Sequence, residues 1–151
     1  MIIIADIYVC KIDRKKVWQF PTLPEEFPVI SLPSKNEEFS TFNNGDFNLL
    51  NGVGLITFSM GFMLPLHQYN FNKCDFNNTQ NIINLLMTSQ IEKFPIRIIF
   101  RGNEKQSDIS ATAGNDDFSN ILVSVEKFEY YFDKNLDVVF QGEFKQYRAV
   151  K

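Results

Sequence analysis

The sequence has one histidine, two cysteines and one tryptophan in 151 residues. With His67 as its only imidazole, the chain cannot build a multi-histidine metal site, and a Ser-His-Asp or Cys-His catalytic group would depend on that residue alone. Cys10 and Cys74 are too few and too widely spaced for a disulfide framework or a zinc site, so we expect buried, reduced thiols. We predict no enzymatic activity, no catalytic residue, no cofactor and no metal site, and a structural role for His67.

Strong charge and long apolar runs are also missing. The formal net charge is -3, and no long run of Lys or Arg offers the basic face that binds nucleic-acid phosphates. No stretch approaches the roughly 18 apolar residues of a membrane span. Asp6 interrupts the apolar N-terminus ahead of the basic residues, the reverse of the order in a signal peptide. We expect no membrane partner, no sequence-specific nucleic-acid partner, and synthesis in the cytoplasm without export.

The composition that remains favours β structure. Hydrophobic residues make up 44% and aromatic residues 15% of the chain, with 16 phenylalanines, a bias typical of strands and too apolar for a disordered protein. A chain of this length buries roughly two thirds of its unfolded surface in one core. We predict a single domain over residues 1–151.

Alternating apolar residues and turn signals place the strands. We expect a mainly β domain, a barrel or sandwich of about seven strands with one packing helix. Asn44-Gly45 and Asn51-Gly52 are expected to be tight turns that make 38–63 a meander. Four prolines make 21–34 an extended surface connector. The strand candidates are 2–10, 17–20, 38–42, 47–50, 55–63, 96–101, 119–132 and 137–149.

One helix is predicted at about 79–93. Asn78 or Thr79 is expected to cap its start, and Pro95 follows its end. An apolar stripe at helical spacing predicts that it packs against a sheet, although a docking face for a partner helix is the alternative. The stripe consists of Ile82, Leu85, Leu86 and Ile91, widened by Ile83 and Met87.

Several short motifs occur in a fixed order along the chain. They are Phe20-Pro21-x-Leu23-Pro24-Glu25-Glu26, a Gly45-acidic-apolar strand, Gly52 with Leu55, Phe58-Ser59, Leu64-Pro65, one helix, Lys93-x-Pro95, and a last strand ending Glu143-Phe144-x-x-Tyr147-Arg148. Together they resemble the N-terminal domain of LysM-bearing baseplate hub proteins in contractile phages and phage-tail-like particles. The resemblance covers nearly the whole chain.

The resemblance implies a non-enzymatic structural protein with a tail-tube-like fold. It implies a ring of identical copies, a hexamer, where the tail tube meets the baseplate, with tube and baseplate proteins as partners and the virion tail or tail-like particle as location. Two features depart from the family pattern. The sequence ends at Lys151 without a LysM module, and Leu50-Asn51-Gly52 replaces the usual Pro-basic-Gly turn.

The polar stretch at 102–117 is the predicted assembly segment. It is long, has no apolar period, and loops of this kind are usually functional or mobile. We expect it to become ordered only against a neighbouring subunit. The candidate interface residues are Gly102, Asp108, Gly114, Asp116 and Asp117, and weak cation binding at Asp116 and Asp117 is an open alternative.

Two other functional classes remain open at this point. A small-ligand or carbohydrate-binding β domain would use Trp18, Tyr69 and Phe71 on a concave face. An enzyme would have to rely on Glu37, His67 and Asp116 as its acid and base groups.

Overall fold

A computed structural model describes residues 5–102 and 119–148. The predicted mainly β class with one helix is confirmed, and these residues form eight strands in two antiparallel sheets in a sandwich-like arrangement that is not a closed barrel. In chain order the elements are β1 (Ala5–Lys11), β2 (Val17–Gln19), β3 (Glu37–Thr41), β4 (Gly45–Leu49), β5 (Thr57–Leu64), α1 (Asn78–Glu92), β6 (Ile96–Gly102), β7 (Asn120–Phe132) and β8 (Val138–Gln146).

The larger sheet has the strand order β2-β1-β6-β7-β8-β5. β1 pairs along its whole length with β6, from Ala5 opposite Gly102 to Lys11 opposite Ile96. The sheet curls so that its two edges approach each other. The Thr22 hydroxyl, just beyond β2 at one edge, donates a hydrogen bond to the Met63 carbonyl of β5 at the other edge. No strand pairing joins β2 to β5 within the described residues, so the curl stops short of closure.

The core lies on the concave side of this sheet. β8 shows the predicted alternation, with every second residue from Val138 to Gln146 buried, the pattern of a strand with one face on a core. Phe140 makes edge-to-face contacts with Phe20 and Phe62, with ring centroids 6.3 and 4.9 Å away. Such contacts add to the free energy of apolar burial because the electropositive ring edge meets an electron-rich face.

The helix covers part of this core and packs against β7 and β2. Ile82, Leu85 and Leu86 are buried as predicted, but Ile91 is 73% exposed. The prediction for Ile91 was wrong because nine residues separate it from Ile82. At 3.6 residues per turn this spacing places the two side chains about 180° apart around the helix axis.

The capping prediction was also wrong. Asn78 is the first helical residue, and the residue before it, Asn77, makes no side-chain capping bond. Asn78 instead donates through Nδ2 to the Gln19 carbonyl at 3.2 Å, and the buried Thr79 hydroxyl donates to the Pro65 carbonyl at 2.7 Å. Both side chains therefore donate to carbonyl groups elsewhere in the fold and not to the helix itself. These bonds fix the start of the helix against β2 and the end of β5.

The predicted meander over 38–63 is only half correct. β3 and β4 form a hairpin through a turn in which Gly45 has φ +80°, as the Asn44-Gly45 signal predicted. Asn51-Gly52 does not join paired strands, since β4 pairs with β3 alone and β5 pairs with β8. The apolar face of β5 is the reason: Phe58, Met60 and Phe62 are covered only when β5 lies beside β8, above the common core.

The proline-rich connector 21–34 is extended, as predicted, and follows the outer edge of β5. It touches that edge near both ends, through the bond from Thr22 to Met63 and through paired backbone bonds between Ser31 and Thr57. The Phe27 ring packs edge-to-face on Phe100 at 6.4 Å. A segment that covers a strand edge without pairing along it protects the edge from adding a foreign strand.

Among the residues that the structure describes, there is no helix of the length and apolar character that crossing a membrane requires.

The two sides of α1 yield a stability prediction. Leu86→Ala empties a fully buried site and should lower the free energy of unfolding by about 2–5 kcal/mol. Ile91→Ala removes an equally large side chain from the exposed side of the same helix and should change it by about 0.5 kcal/mol or less. Urea unfolding of the two variants measures the difference, and equal losses would contradict this placement of the helix.

Candidate functional site

The most exposed regular structure is the β3–β4 pair, here called the projecting hairpin (Glu37–Leu49). All its strand residues are exposed except the partly covered Thr41, and β3 and β4 pack mainly against each other. Phe39 and Phe47 are cross-strand partners whose rings stack at 5.5 Å. Both stay nearly half exposed, at 48% and 44%, so residues 5–102 and 119–148 do not cover this apolar surface.

Strand alternation gives the projecting hairpin two unlike faces. Phe39, Phe47 and Leu49 fall on one face together with Glu37, and the opposite face carries polar side chains. On the polar face the Ser40 hydroxyl donates to the Asp46 carboxylate at 2.6 Å. At the tip, Phe42 is fully exposed. An amphipathic two-stranded unit without a covering layer is only marginally stable in water, so this hairpin gains stability when another surface covers its apolar face.

A groove lies where the β1–β2 turn faces α1. We call it the basic groove; it encloses about 410 Å³ and is lined by Lys11, Asp13, Lys15, Lys16, Trp18, Asn81, Asn84, Leu85 and Thr88. Its lining includes three ammonium groups and one carboxylate. The Lys11 ammonium lies 5.2 Å from the centre of the Phe94 ring, a cation–π geometry. Trp18 and Leu85 add apolar surface, so the groove suits an occupant that is both apolar and acidic.

A second exposed apolar surface lies on the outer half of the β7–β8 hairpin. β6 pairs with β7 only as far as Val123, and a bulge between Val125 and Lys127 follows. Beyond it β8 is the only strand beside β7 within the described residues. The large side chains exposed here are Tyr130, Tyr131, Phe132 and Leu136.

His67, in the loop that follows β5, packs against the turn between β7 and β8. The buried carboxylate of Asp137 lies close by. Asp137 is only 1% exposed and accepts hydrogen bonds from the Leu66 amide at 2.9 Å and the Tyr69 hydroxyl at 2.7 Å. The bond to Asp137 raises the pKa of Tyr69, because losing the phenolic proton would set two negative charges side by side. His67 Nε2 lies 2.8 Å from the Asn135 carbonyl. These contacts join loop 66–69 to the β7–β8 turn, which agrees with the structural role predicted for His67.

The aromatic residues proposed for ligand binding do not share one cavity. Trp18 lines the basic groove, whereas Phe71 lines a different cleft beside β5. Tyr69 stacks on Phe71 at 4.9 Å. Glu37, one of the acid/base candidates, is exposed on the projecting hairpin, and no group of three or more potential metal ligands occurs in residues 5–102 and 119–148.

Most of the predicted interface residues lie outside the part of the chain that the structure describes. Gly102 is the last residue of β6, and Asp108, Gly114, Asp116 and Asp117 lie outside the described residues. The sequence predicted the β3–β4 hairpin, but it did not identify that hairpin or the basic groove as an interaction surface. The distribution of charge along the sequence could have indicated both surfaces. Residues Asn36 to Asn72 include no Lys or Arg, whereas Lys11 to Lys16 include four.

Comparison of the sequence with models of protein families and with curated proteins gave no match.

The Asp137 contacts predict a large effect for one carboxylate. Asp137→Ala leaves the Leu66 amide and the Tyr69 hydroxyl without their acceptor and should cost about 1–3 kcal/mol of unfolding free energy. Glu129→Ala, which removes an exposed carboxylate from the same hairpin, should leave the stability near that of the wild type. Thermal and urea unfolding provide the comparison, and an Asp137 variant as stable as the Glu129 variant would refute the role given to this carboxylate.

The two thiols should differ in reactivity. Cys10 is fully buried, as expected, but Cys74 is only partly covered. Burial raises the pKa of both thiols, and Cys74 donates to the Gln19 carbonyl. Below its raised pKa each thiol stays protonated and reacts slowly. We expect an alkylating reagent at mildly alkaline pH to modify Cys74 first and Cys10 only on unfolding, and mass spectrometry of timed samples would show the reverse order if this placement is wrong.

Proposed function

We propose that this chain is a structural component of a contractile phage tail or phage-tail-like particle, forming a ring of identical copies at the junction of tube and baseplate. The observation that carries the proposal is the projecting hairpin, an amphipathic unit whose apolar face is left uncovered by the part of the chain that the structure describes. Exposed apolar surface of this kind marks an interaction site in a stable protein.

A second exposed surface supports assembly rather than a single contact. The aromatic side chains on the outer half of β7–β8 belong to a different hairpin and extend beyond β6. A subunit that contacts both its neighbouring copies and other tail proteins needs more than one interaction surface. The order of short motifs that resembles baseplate hub domains supplies the particular particle and position, with a hexamer as the expected ring.

Protein from assembled tails gives the direct test. We expect this chain to be found by mass spectrometry in purified tail particles of the phage or bacterium that encodes it, in the same copy number as other six-fold baseplate proteins. Removing its gene should leave particles without joined tubes and baseplates in electron micrographs. Normal tails from the deletion strain, or particles that lack the chain, would refute the proposal.

A further inference from the structure

The projecting hairpin and the basic groove carry opposite charge. Between Glu37 and Leu49 there are three carboxylates and no basic side chain. Glu37 lies on the apolar face of the hairpin, and Glu38 and Asp46 lie on its polar face. The groove lining contributes three ammonium groups against one carboxylate. Opposite potentials on two surfaces accelerate their encounter and set their register.

Four of the charged side chains on the two surfaces form no ion pair within the described residues. Glu37 and Glu38 form no ion pair there, and neither do Lys15 and Lys16. Each surface adds apolar area to its charge, with Phe39, Phe47 and Leu49 on the hairpin and Trp18 and Leu85 in the groove. A contact between them would cover the hairpin's apolar face and pair charges on its rim.

The two surfaces belong to different parts of the chain. The β1–β2 turn and α1 form the groove, while the base of the hairpin is held beside the start of β5. Two backbone pairings hold that base, Ser31 with Thr57 and Ser34 with Val53. The hairpin lies outside the groove of its own chain, since none of its residues lines it.

We propose that the projecting hairpin of one copy docks in the basic groove of a second copy of this chain. The contact joins unlike surfaces, so it repeats from copy to copy and closes a ring when the rotation between neighbours allows it. Glu37 lies on the apolar face of the hairpin and meets the groove lysines, while Phe39 and Phe47 cover Trp18. The inference rests on the proposed assembly of identical copies and names the surfaces that would join them.

Charge-reversed variants of the whole chain provide the experiment. The groove variant is Lys15→Glu with Lys16→Glu, and the hairpin variant is Glu37→Lys with Glu38→Lys. The control is Lys134→Glu with Lys145→Glu, which makes the same charge change as the groove variant at exposed positions elsewhere. Light scattering and sedimentation at low salt measure association. We expect the groove and hairpin variants each to associate about tenfold or more weakly than the wild type and the control, and high salt to weaken wild-type association.

Mixing supplies the decisive comparison. Each of the two variants carries surfaces of like charge and should remain monomeric alone, whereas an equimolar mixture restores both oppositely charged contacts and should associate. Trp18 is the only tryptophan of the chain, so its emission should shift to shorter wavelength in the mixture and in the wild type, but not in either variant alone. Circular dichroism confirms that the variants are folded.

Each contrary result has a separate meaning. Wild-type and variant chains that assemble equally would overturn the hairpin-in-groove contact and leave the proposed ring intact. A mixture that stays monomeric, or a wild-type chain that stays monomeric at every concentration, would overturn the contact as well. A Trp18 shift that appears only when a purified tail tube protein is added would assign the groove to that partner and would also overturn the contact between copies. Absence of the chain from tail particles is the separate result that refutes the proposed function.

Discussion

The pairing of β8 with two neighbours is the constraint on which the fold depends. β8 lies between β7 and β5, so it joins the middle of the larger sheet to its edge strand. Its buried residues, above all Phe140 and Phe144, meet aromatic rings from β5 and from the segment after β2. At Gly142 the approach is so close that a Cβ atom would lie 2.9 Å from the Phe144 ring, which explains a glycine in the middle of a strand where it would otherwise weaken packing.

Much of this sheet could be predicted from local sequence, because alternation and turn chemistry are local properties. The alternation of β8 and the positive φ of Gly45 are examples. Which strands pair with each other was harder to predict. Asn51-Gly52 has the composition of a tight turn, yet burial of Phe58 and Phe62 beside β8 decided where β5 lies. A local sequence pattern does not indicate which of two strands, β4 or the distant β8, pairs with β5.

The two candidate surfaces differ from the segment that the sequence predicted, and the predicted interface over 102–117 stays a prediction. The polar composition of 102–117 drew attention to a loop, whereas the exposed apolar surface described by the structure lies on the projecting hairpin. Alternation in β3 and β4 reads as a half-buried hairpin, and sequence alone assigns its apolar face to the chain's own core. Only the three-dimensional arrangement shows that the Phe39 and Phe47 rings stack on each other and lie outside the core that the described residues form.

The pairing of β1 with β6 has a consequence for the order of folding. β1 can pair with β2 soon after both are made, but its long partner lies at residues 96–102. The β1–β6 pair therefore cannot form during translation until most of the chain has left the ribosome. At roughly 5–20 residues per second that delay lasts several seconds. Contacts between residues so far apart in sequence slow folding, and until β6 is made the edge of β1 that β6 covers stays unpaired.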